Sequence, residues 1–206
     1  VVHFEGDDRG VHRILRCSKN RFGTTDEVGV FEMTGQGLVE VDDPGDLFGS
    51  QQELTPGSAM CAVVKGSRTF FVEIQALTAP AVFGSPRRLP TGIARQRLEM
   101  LCAVLSRRAK VDVSSDDVYV SVIGGMTIDD PAADLAVCMA IVSSKLDVPL
   151  RRTDVYVGEV GLSGEVRPVA YMKRVSGEAK RRGLSITGER RGAHPDVHDI
   201  VKSLRQ

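Results

Sequence analysis

Residue types that often signal a particular function are scarce in this chain of 206 residues. It has no tryptophan, and aromatic residues make up 5% of it, so stacking of nucleic-acid bases on its surface is weakly supported. Its four cysteines are far apart and form no Cys-x-x-Cys pair, which favours reduced, buried thiols over a zinc site. The four histidines lie only near the two ends, and no metal site is predicted.

Net charge and long apolar runs are also missing. The 27 basic and 27 acidic residues cancel, so composition alone gives no sign of a nucleic-acid partner. No segment has the length and hydrophobicity of a membrane span or a signal peptide, so we expect no membrane partner and a reducing compartment. Because the chain begins "VVHFEG" without methionine, we expect an excised or processed piece of a longer protein.

The charges that are present form clusters. Acidic residues gather at "DDPGD" (42–46) and "DDPAAD" (129–134), and basic residues gather in five further segments, so a neutral total can hide a basic face. The alternative is a set of separately solvated arginines. The residues that we predict to contact phosphate groups are Arg87, Arg88, Arg107, Arg108, Lys173 and Arg174.

Hydrophobic patterning divides the chain into a strand-rich first part and a mixed second part. The polar stretch "GSQQELTPGS" (49–58) is the predicted linker, so we place the domains at 1–50 and 51–206. The second part is predicted to be an α+β (α/β-like) domain whose sheet is partly covered. Its predicted elements are a hairpin over 58–78 that turns at 65–67, an irregular basic loop over 79–92, helices over 93–109, 131–145 and 170–183, a strand over 117–125, and two strands within 153–169.

One helix start is built like a site that presents a side chain. In "IDDPAADLA" (128–136), Pro131 suits a first helical turn, and the two preceding aspartates suit the positive end of a helix. The residues presented are Ala132 and Ala133, which have no chemistry. The following run is apolar on most faces, which predicts a central, buried helix.

Two segments together resemble the proteolytic domain of Lon proteases. They are "DVYVSVIGGMTIDDPAADLAVCMAIVSSKLDVPL" (117–150) and "VYVGEVGLSGEVRPVAYMKR" (155–174). In that family a serine begins the buried helix and a lysine begins the next one; the serine falls on Ala132 and the lysine on Lys173. Asp134 stands where the Lon motif prefers glycine. The resemblance implies a Lon-type fold.

The same comparison implies a lost peptidase site. A Ser–Lys dyad needs a hydroxyl nucleophile and a neutral lysine that accepts its proton, and alanine supplies no nucleophile. The alternative is an active Ser/Lys-type peptidase that uses Ser143, Ser144 or Ser163, although none of them holds the helix-start position.

The first 50 residues resemble the end of the RecA-like ATPase core of the RadA/Sms family of DNA recombination and repair proteins. The segment "KNRFG" (19–23) is that family's signature. The resemblance implies that Lys19 and Arg21 act in trans on a nucleotide bound by a neighbouring subunit, as an arginine finger does, while Asn20 and Phe22 shape the turn and Gly23 allows a bend. The alternative is a solvated basic turn.

The family resemblance also implies a biological setting. Its members are ATP-driven motors that process branched DNA by branch migration, and they carry a zinc finger and a phosphate-binding loop. This chain has no G-x-x-x-x-G-K-[ST], so ATP with Mg²⁺ and zinc are expected only in the full-length protein, in a bacterial cytoplasm or an organelle. The Lon-like domain is then expected to act as a hexamer scaffold and a sequence-independent DNA-binding module. The alternative is a docking domain for a replicative helicase or recombinase.

Overall fold

The computed structural model describes residues 2–5, 12–17, 28–40, 55–66, 68–82, 84–188 and 196–204. The first part forms a four-stranded antiparallel sheet in chain order. Its strands are β1 (Val2–Glu5), β2 (His12–Cys17), β3 (Val28–Thr34) and β4 (Gly37–Glu40). The strand-rich character predicted for this part is therefore confirmed in its described residues. The "KNRFG" segment at 19–23 and most of the predicted linker lie outside the described residues.

The second part is organised around a mixed six-stranded sheet. Its strands are β5 (Ser58–Lys65), β6 (Arg68–Pro80), β7 (Arg88–Thr91), β8 (Asp116–Val122), β9 (Asp154–Tyr156) and β12 (Ser185–Thr187). Between β9 and β12 in the chain, β10 (Glu159–Val160) and β11 (Val166–Arg167) form a separate two-stranded ribbon. The order across the sheet is β12-β9-β5-β6-β8-β7. The β5–β6 hairpin has the predicted turn, because Lys65 pairs with Arg68.

In the described part of the chain, four α-helices accompany this sheet. They are α1 (Arg95–Arg107), α2 (Asp134–Leu146), α3 (Met172–Arg181) and α4 (Val197–Ser203), and a short 3-10 helix, Pro131–Ala133, leads into α2. The three predicted helices are confirmed within a few residues at each end. The first ten residues of α2 are buried, which agrees with the prediction of a central helix.

The alternation of side chains along β5 defines two layers of core. Cys61 and Val63 point into a large core shared with α1, α2 and α4. Met60 and Ala62 point into a second core shared with α3. The helix α3 therefore lies on the opposite face of the sheet from α1 and α2.

Two predictions about segments were wrong in detail. The expected loop over 79–92 contains β7, which pairs in parallel with β8 and starts with Arg88 opposite Val118. The predicted linker ends too late, because Gly57 and Ser58 are already buried and the Gly57 amide donates to Ser143 Oγ at 2.8 Å. Each of these segments gains its structure from distant partners.

None of the helices in the described ranges combines the length and the apolar character that crossing a membrane requires.

Candidate functional site

The start of the buried helix is held by its own aspartate. Asp130 adopts an extended backbone, and its carboxylate Oδ1 accepts a hydrogen bond from the Ala132 amide at 2.9 Å. Pro131 follows in the first turn, where its missing N–H costs nothing. The sequence therefore builds a well-capped helix start at the position where a Lon peptidase carries its nucleophile.

The side chain of Ala132 is buried among apolar side chains. Ala132 is 1% exposed and belongs to the core that contains Met60, Phe71 and Met172. Its carbonyl accepts a hydrogen bond from the Gly158 amide at 2.9 Å, so the segment after β9 closes over the helix start. A buried methyl group in apolar surroundings can neither attack a peptide bond nor bind a proton.

Asp134, two residues later, forms a buried ion pair that sequence reasoning missed. It is 3% exposed, and Arg97 Nε donates to Asp134 Oδ1 at 2.7 Å while a second guanidinium nitrogen donates to Oδ2. The Val160 amide also donates to Oδ2 at 3.0 Å. Burial raises the pKa of Asp134, and the bonds from Arg97 and Val160 oppose that rise. In turn, the bond to Asp134 raises the pKa of Arg97.

This ion pair links three elements around the helix start. Arg97 belongs to α1, Asp134 begins α2 and Val160 belongs to β10. The only signal in the sequence was an acidic residue at the start of an apolar helix, which needs a partner once buried. The identity of that partner, 37 residues away, could not be read from the pattern.

The lysine that corresponds to the Lon dyad lies on the surface. Lys173 is exposed in the first turn of α3, whereas Ala132 is buried. The link between the helix start and α3 is instead made by Tyr171, whose hydroxyl donates to Asp130 Oδ2. Burial, and then this bond, raise the pKa of Tyr171, so the phenol stays protonated and keeps donating.

Two of the other serines considered as nucleophiles are engaged in structural bonds. Ser143 Oγ donates to the Val148 carbonyl at 2.6 Å, and Ser144 Oγ accepts from the Thr78 amide at 2.9 Å. Both lie near the opposite end of α2 from Ala132. Ser163 lies in the exposed turn between β10 and β11. None of these bonds joins a serine to a general base.

The predicted phosphate contacts fall into separate groups. Arg87 and Arg88 lie at the start of β7, and the Arg88 guanidinium donates to the carbonyls of Val113 at 2.8 Å and Asp116. Arg88 therefore also braces the connection from α1 to β8.

The remaining four predicted contacts lie on helices at opposite faces of the sheet. Arg107 and Arg108 end α1, and Lys173 and Arg174 begin α3. Arg174 donates to the Gly66 carbonyl at 2.9 Å, which fixes it beside the β5–β6 turn. Within the described ranges, no three histidine, cysteine or acidic side chains gather closely enough to hold a metal ion.

Comparison with known proteins gives two results. Residues 98–206 match the family model of the Lon protease (S16) C-terminal proteolytic domain. Over 185 residues the chain is 47% identical to the DNA repair protein RadA of Brucella abortus and 44% identical to that of Bacillus subtilis, covering 89% of this chain and 40% of each relative. It is 44% identical over 188 residues to the DNA repair protein RadA of Mycobacterium tuberculosis, covering 90% of this chain and 39% of the relative. The chain thus spans about two fifths of the length of these relatives.

Proposed function

The chain belongs to the family of the Lon protease (S16) C-terminal proteolytic domain, and we propose that it is the C-terminal part of a RadA-like DNA repair ATPase in which this domain no longer cuts peptides. The observation that carries the proposal is Ala132: the nucleophile position holds a methyl group buried in an apolar core. The similarity to DNA repair proteins named RadA supports the repair role.

The loss of peptide hydrolysis involves more than one residue. A hydroxyl placed at position 132 would be surrounded by apolar carbon and would have no base beside it, since Lys173 is exposed. We therefore expect neither the chain nor Ala132→Ser to hydrolyse casein or to react with a fluorophosphonate probe, which labels activated serines. Labelling of the wild-type chain that disappears in Lys173→Ala would overturn this part of the proposal.

The retained domain is proposed to be a scaffold for a hexameric ring. Family members of known peptidase type use such a ring to bring active sites together, and a repair motor would use it to align its ATPase subunits. Light scattering of the 206-residue chain tests this directly. A mass six times that of the 22.3 kDa protomer supports the scaffold, and a strict monomer at high concentration contradicts it for this chain.

The domain is also proposed to contact DNA through its cations without reading sequence. Arg87, Arg107 and Lys173 are exposed, and within the described ranges no residue accepts a bond from their side chains. Arg88, Arg108 and Arg174 keep their charge while donating to backbone carbonyls. Binding to phosphate groups releases counterions, so log affinity should fall linearly with log salt.

A charge-reversal pair tests this contact. The double variant Arg107→Glu/Lys173→Glu should bind DNA more weakly and with a shallower salt slope, because two phosphate contacts are lost. Arg95→Glu is the control, since Arg95 is exposed but already pairs with Glu99 in the same helix. Equal affinities of the double variant and the control at low salt would contradict the assignment.

The ATPase contribution of the chain is proposed to come from its "KNRFG" segment. Lys19 and Arg21 would stabilise phosphate charge on a nucleotide held by the neighbouring subunit, with Asn20, Phe22 and Gly23 shaping the turn. No phosphate-binding loop is found in the sequence, so ATP with Mg²⁺, like the implied zinc, would be held outside this chain. In the full-length protein, Lys19→Ala or Arg21→Ala should abolish DNA-stimulated ATP hydrolysis. Wild-type rates in both variants would contradict the assignment.

A further inference from the structure

Among the described residues, helices cover only part of one sheet face. The helix α3 packs over β5, β9, β12 and the part of β6 around Phe71 on this face. Further along the same face, no helix of the described residues lies above Leu77 of β6 or above β8 and β7. Leu77 is 61% exposed and Leu89 is 46% exposed, so two large apolar side chains face solvent on neighbouring parts of one surface.

The strand register arranges this surface in rows. Leu77 pairs with Tyr119, and Tyr119 pairs with Leu89, so an aromatic side chain lies between two aliphatic ones. On one side the registers give the row Gln75, Ser121 and Thr91. On the other side Ala79 pairs with Asp117, and Arg87, just before β7, adjoins Asp117 through a hydrogen bond from its amide to Asp117 Oδ1. We call these nine residues the open sheet face. A hollow of about 400 Å³ lies over this face, and Thr55 and Pro56 form part of its border. The residues of the open sheet face that line the hollow are Gln75, Leu77, Leu89, Thr91, Tyr119 and Ser121.

The two carboxylates near the hollow already have partners. Glu73 is 1% exposed, and its Oε1 accepts hydrogen bonds from Ser58 Oγ at 2.9 Å and Gln75 Nε2 at 2.7 Å. Asp117 Oδ1 accepts from the Arg87 amide at 2.7 Å. Glu73 thereby holds the Gln75 amide in the lining of the hollow, and the exposed Arg87 adds a cation beside Asp117.

We infer that the open sheet face binds single-stranded nucleic acid, with one base stacked on Tyr119 between Leu77 and Leu89. Gln75, Ser121 and Thr91 offer donors and acceptors to the edge of that base. Arg87, which is exposed and bonded through its amide to Asp117, can meet a phosphate. Strand surfaces that present an aromatic ring are common platforms for unpaired bases. The inference rests on the proposed contact of this chain with DNA and assigns it a site.

The arrangement fits an unpaired strand better than a duplex or a protein partner. Bases inside a duplex are stacked on each other and cannot reach a ring on a sheet. The apolar part of the face is a single row of three residues, bordered by polar rows, whereas a stable protein interface buries about 1,200 Å² or more in total. Composition alone argued against stacking, but one tyrosine at the centre of an uncovered face is enough for one base.

The test measures binding of the 206-residue chain to a fluorescein-labelled oligothymidine at low salt by anisotropy. Tyr119→Ala should weaken binding about 5- to 150-fold, and Tyr119→Phe should bind like the wild type because the ring is kept. Leu162→Ala is the control, since Leu162 is 69% exposed in the β10–β11 turn, away from this face. Urea unfolding of each variant checks that the fold is intact.

A second readout uses the absence of tryptophan. The chain has three tyrosines, of which Tyr156 is buried and Tyr171 bonds to Asp130, so stacking on Tyr119 should quench tyrosine fluorescence on titration with oligothymidine. Quenching that persists in Tyr119→Ala would overturn the assignment.

The remaining outcomes separate this inference from the proposed function. Unchanged oligothymidine binding by Tyr119→Ala, together with weak binding by Arg107→Glu/Lys173→Glu, overturns the stacking site and leaves the DNA contact standing. Equal losses for single strands and duplex also overturn it. If the wild type does not bind oligothymidine, both the stacking site and the proposed DNA contact are wrong. If Leu77→Glu lowers the mass in solution and leaves oligothymidine affinity unchanged, the face joins copies of this chain or another protein, and the inference is wrong.

Discussion

Asp134 is tolerated inside the domain because Arg97 meets both of its carboxylate oxygens and the Val160 amide meets one of them. The Lon motif prefers glycine at this position, which needs no partner. An aspartate there makes the helix start depend on α1 and β10, so this position is a structural junction between three elements. Removing one member of the pair should lower the free energy of unfolding strongly, because the other charge is then left buried without a partner.

Arg97→Met should lower the free energy of unfolding by about 3 kcal/mol, because it leaves the Asp134 carboxylate buried without its cation. Urea unfolding followed by circular dichroism at pH 7 measures this. The loss should shrink towards pH 5, since burial raises the pKa of Asp134 and a proton then removes the unpaired charge.

The double variant Arg97→Met/Asp134→Asn is the control for charge. It keeps an acceptor for the Val160 amide and removes the buried charge, so it should be more stable than Arg97→Met at pH 7. A double variant that is no more stable than the single one would show that Arg97 acts through packing alone.

Among the elements, the junction from β7 to α1 sets the position of the loop that leads to Asp130. Gly92 has a φ of +84°, a conformation that favours glycine, and its carbonyl accepts from the Ile128 amide at 2.7 Å. A Cβ at this position would lie 2.5 Å from the Met126 carbonyl oxygen and 2.8 Å from Val122 Cβ. The edge strand and the helix-start loop are therefore fixed to each other through a residue that admits no side chain.

Gly92→Ala should destabilise the chain by at least about 2 kcal/mol, through left-handed strain and a clash with backbone. Gly177→Ala is the matched control. Gly177 lies within α3 with nothing within 4 Å of a built Cβ, so alanine there should stabilise by up to about 1 kcal/mol. Thermal unfolding of both variants measures the two effects, and shifts of the same sign would contradict the argument.

The elements also mark how far sequence can predict this fold. The helix α1 has one apolar face, so its existence followed from periodicity. The helix α2 is apolar on most faces, and it followed from the proline and aspartates at its start and from its 13-residue length. The strands β7 and β12 have four and three residues, and only their pairing with β8 and β9 defines them. For the site, the motif located Ala132, but the partners Arg97 and Tyr171 are brought there by tertiary packing.

At the scale of the whole molecule, burial raises the pKa of several thiols and of one phenol in the described residues. Burial raises the pKa of Cys102 to about 11 and that of Tyr156 to about 12, and it raises the pKa of Cys61 and Cys138 as well. In each case the folded chain holds the proton more tightly than the unfolded chain does. Stability from these groups is full below the unfolded pKa and is lost as pH rises.

The free energy of unfolding should therefore begin to decline near pH 8, where thiols of the unfolded chain, with pKa values of about 8.5, start to ionise, and should fall more steeply above about pH 9. Each group that ionises only in the unfolded chain contributes a slope of up to about 1.4 kcal/mol per pH unit. Urea unfolding at intervals up to pH 10.5 in a reducing buffer measures the slope. Cys102→Ala/Cys138→Ala should be less stable at pH 7 but decline less steeply, and an unchanged slope would contradict this origin.

The order of elements in the chain has a consequence for biosynthesis. The flank of α2 is covered in part by α4, through Val197 and Val201, and the sheet edge at β9 is completed by β12. Both α4 and β12 follow, in the chain, the elements that they cover. During synthesis, the hairpin of β5 and β6 and the apolar α2 emerge from the ribosome before α4 and β12, so their apolar surfaces stay exposed until those two elements have followed.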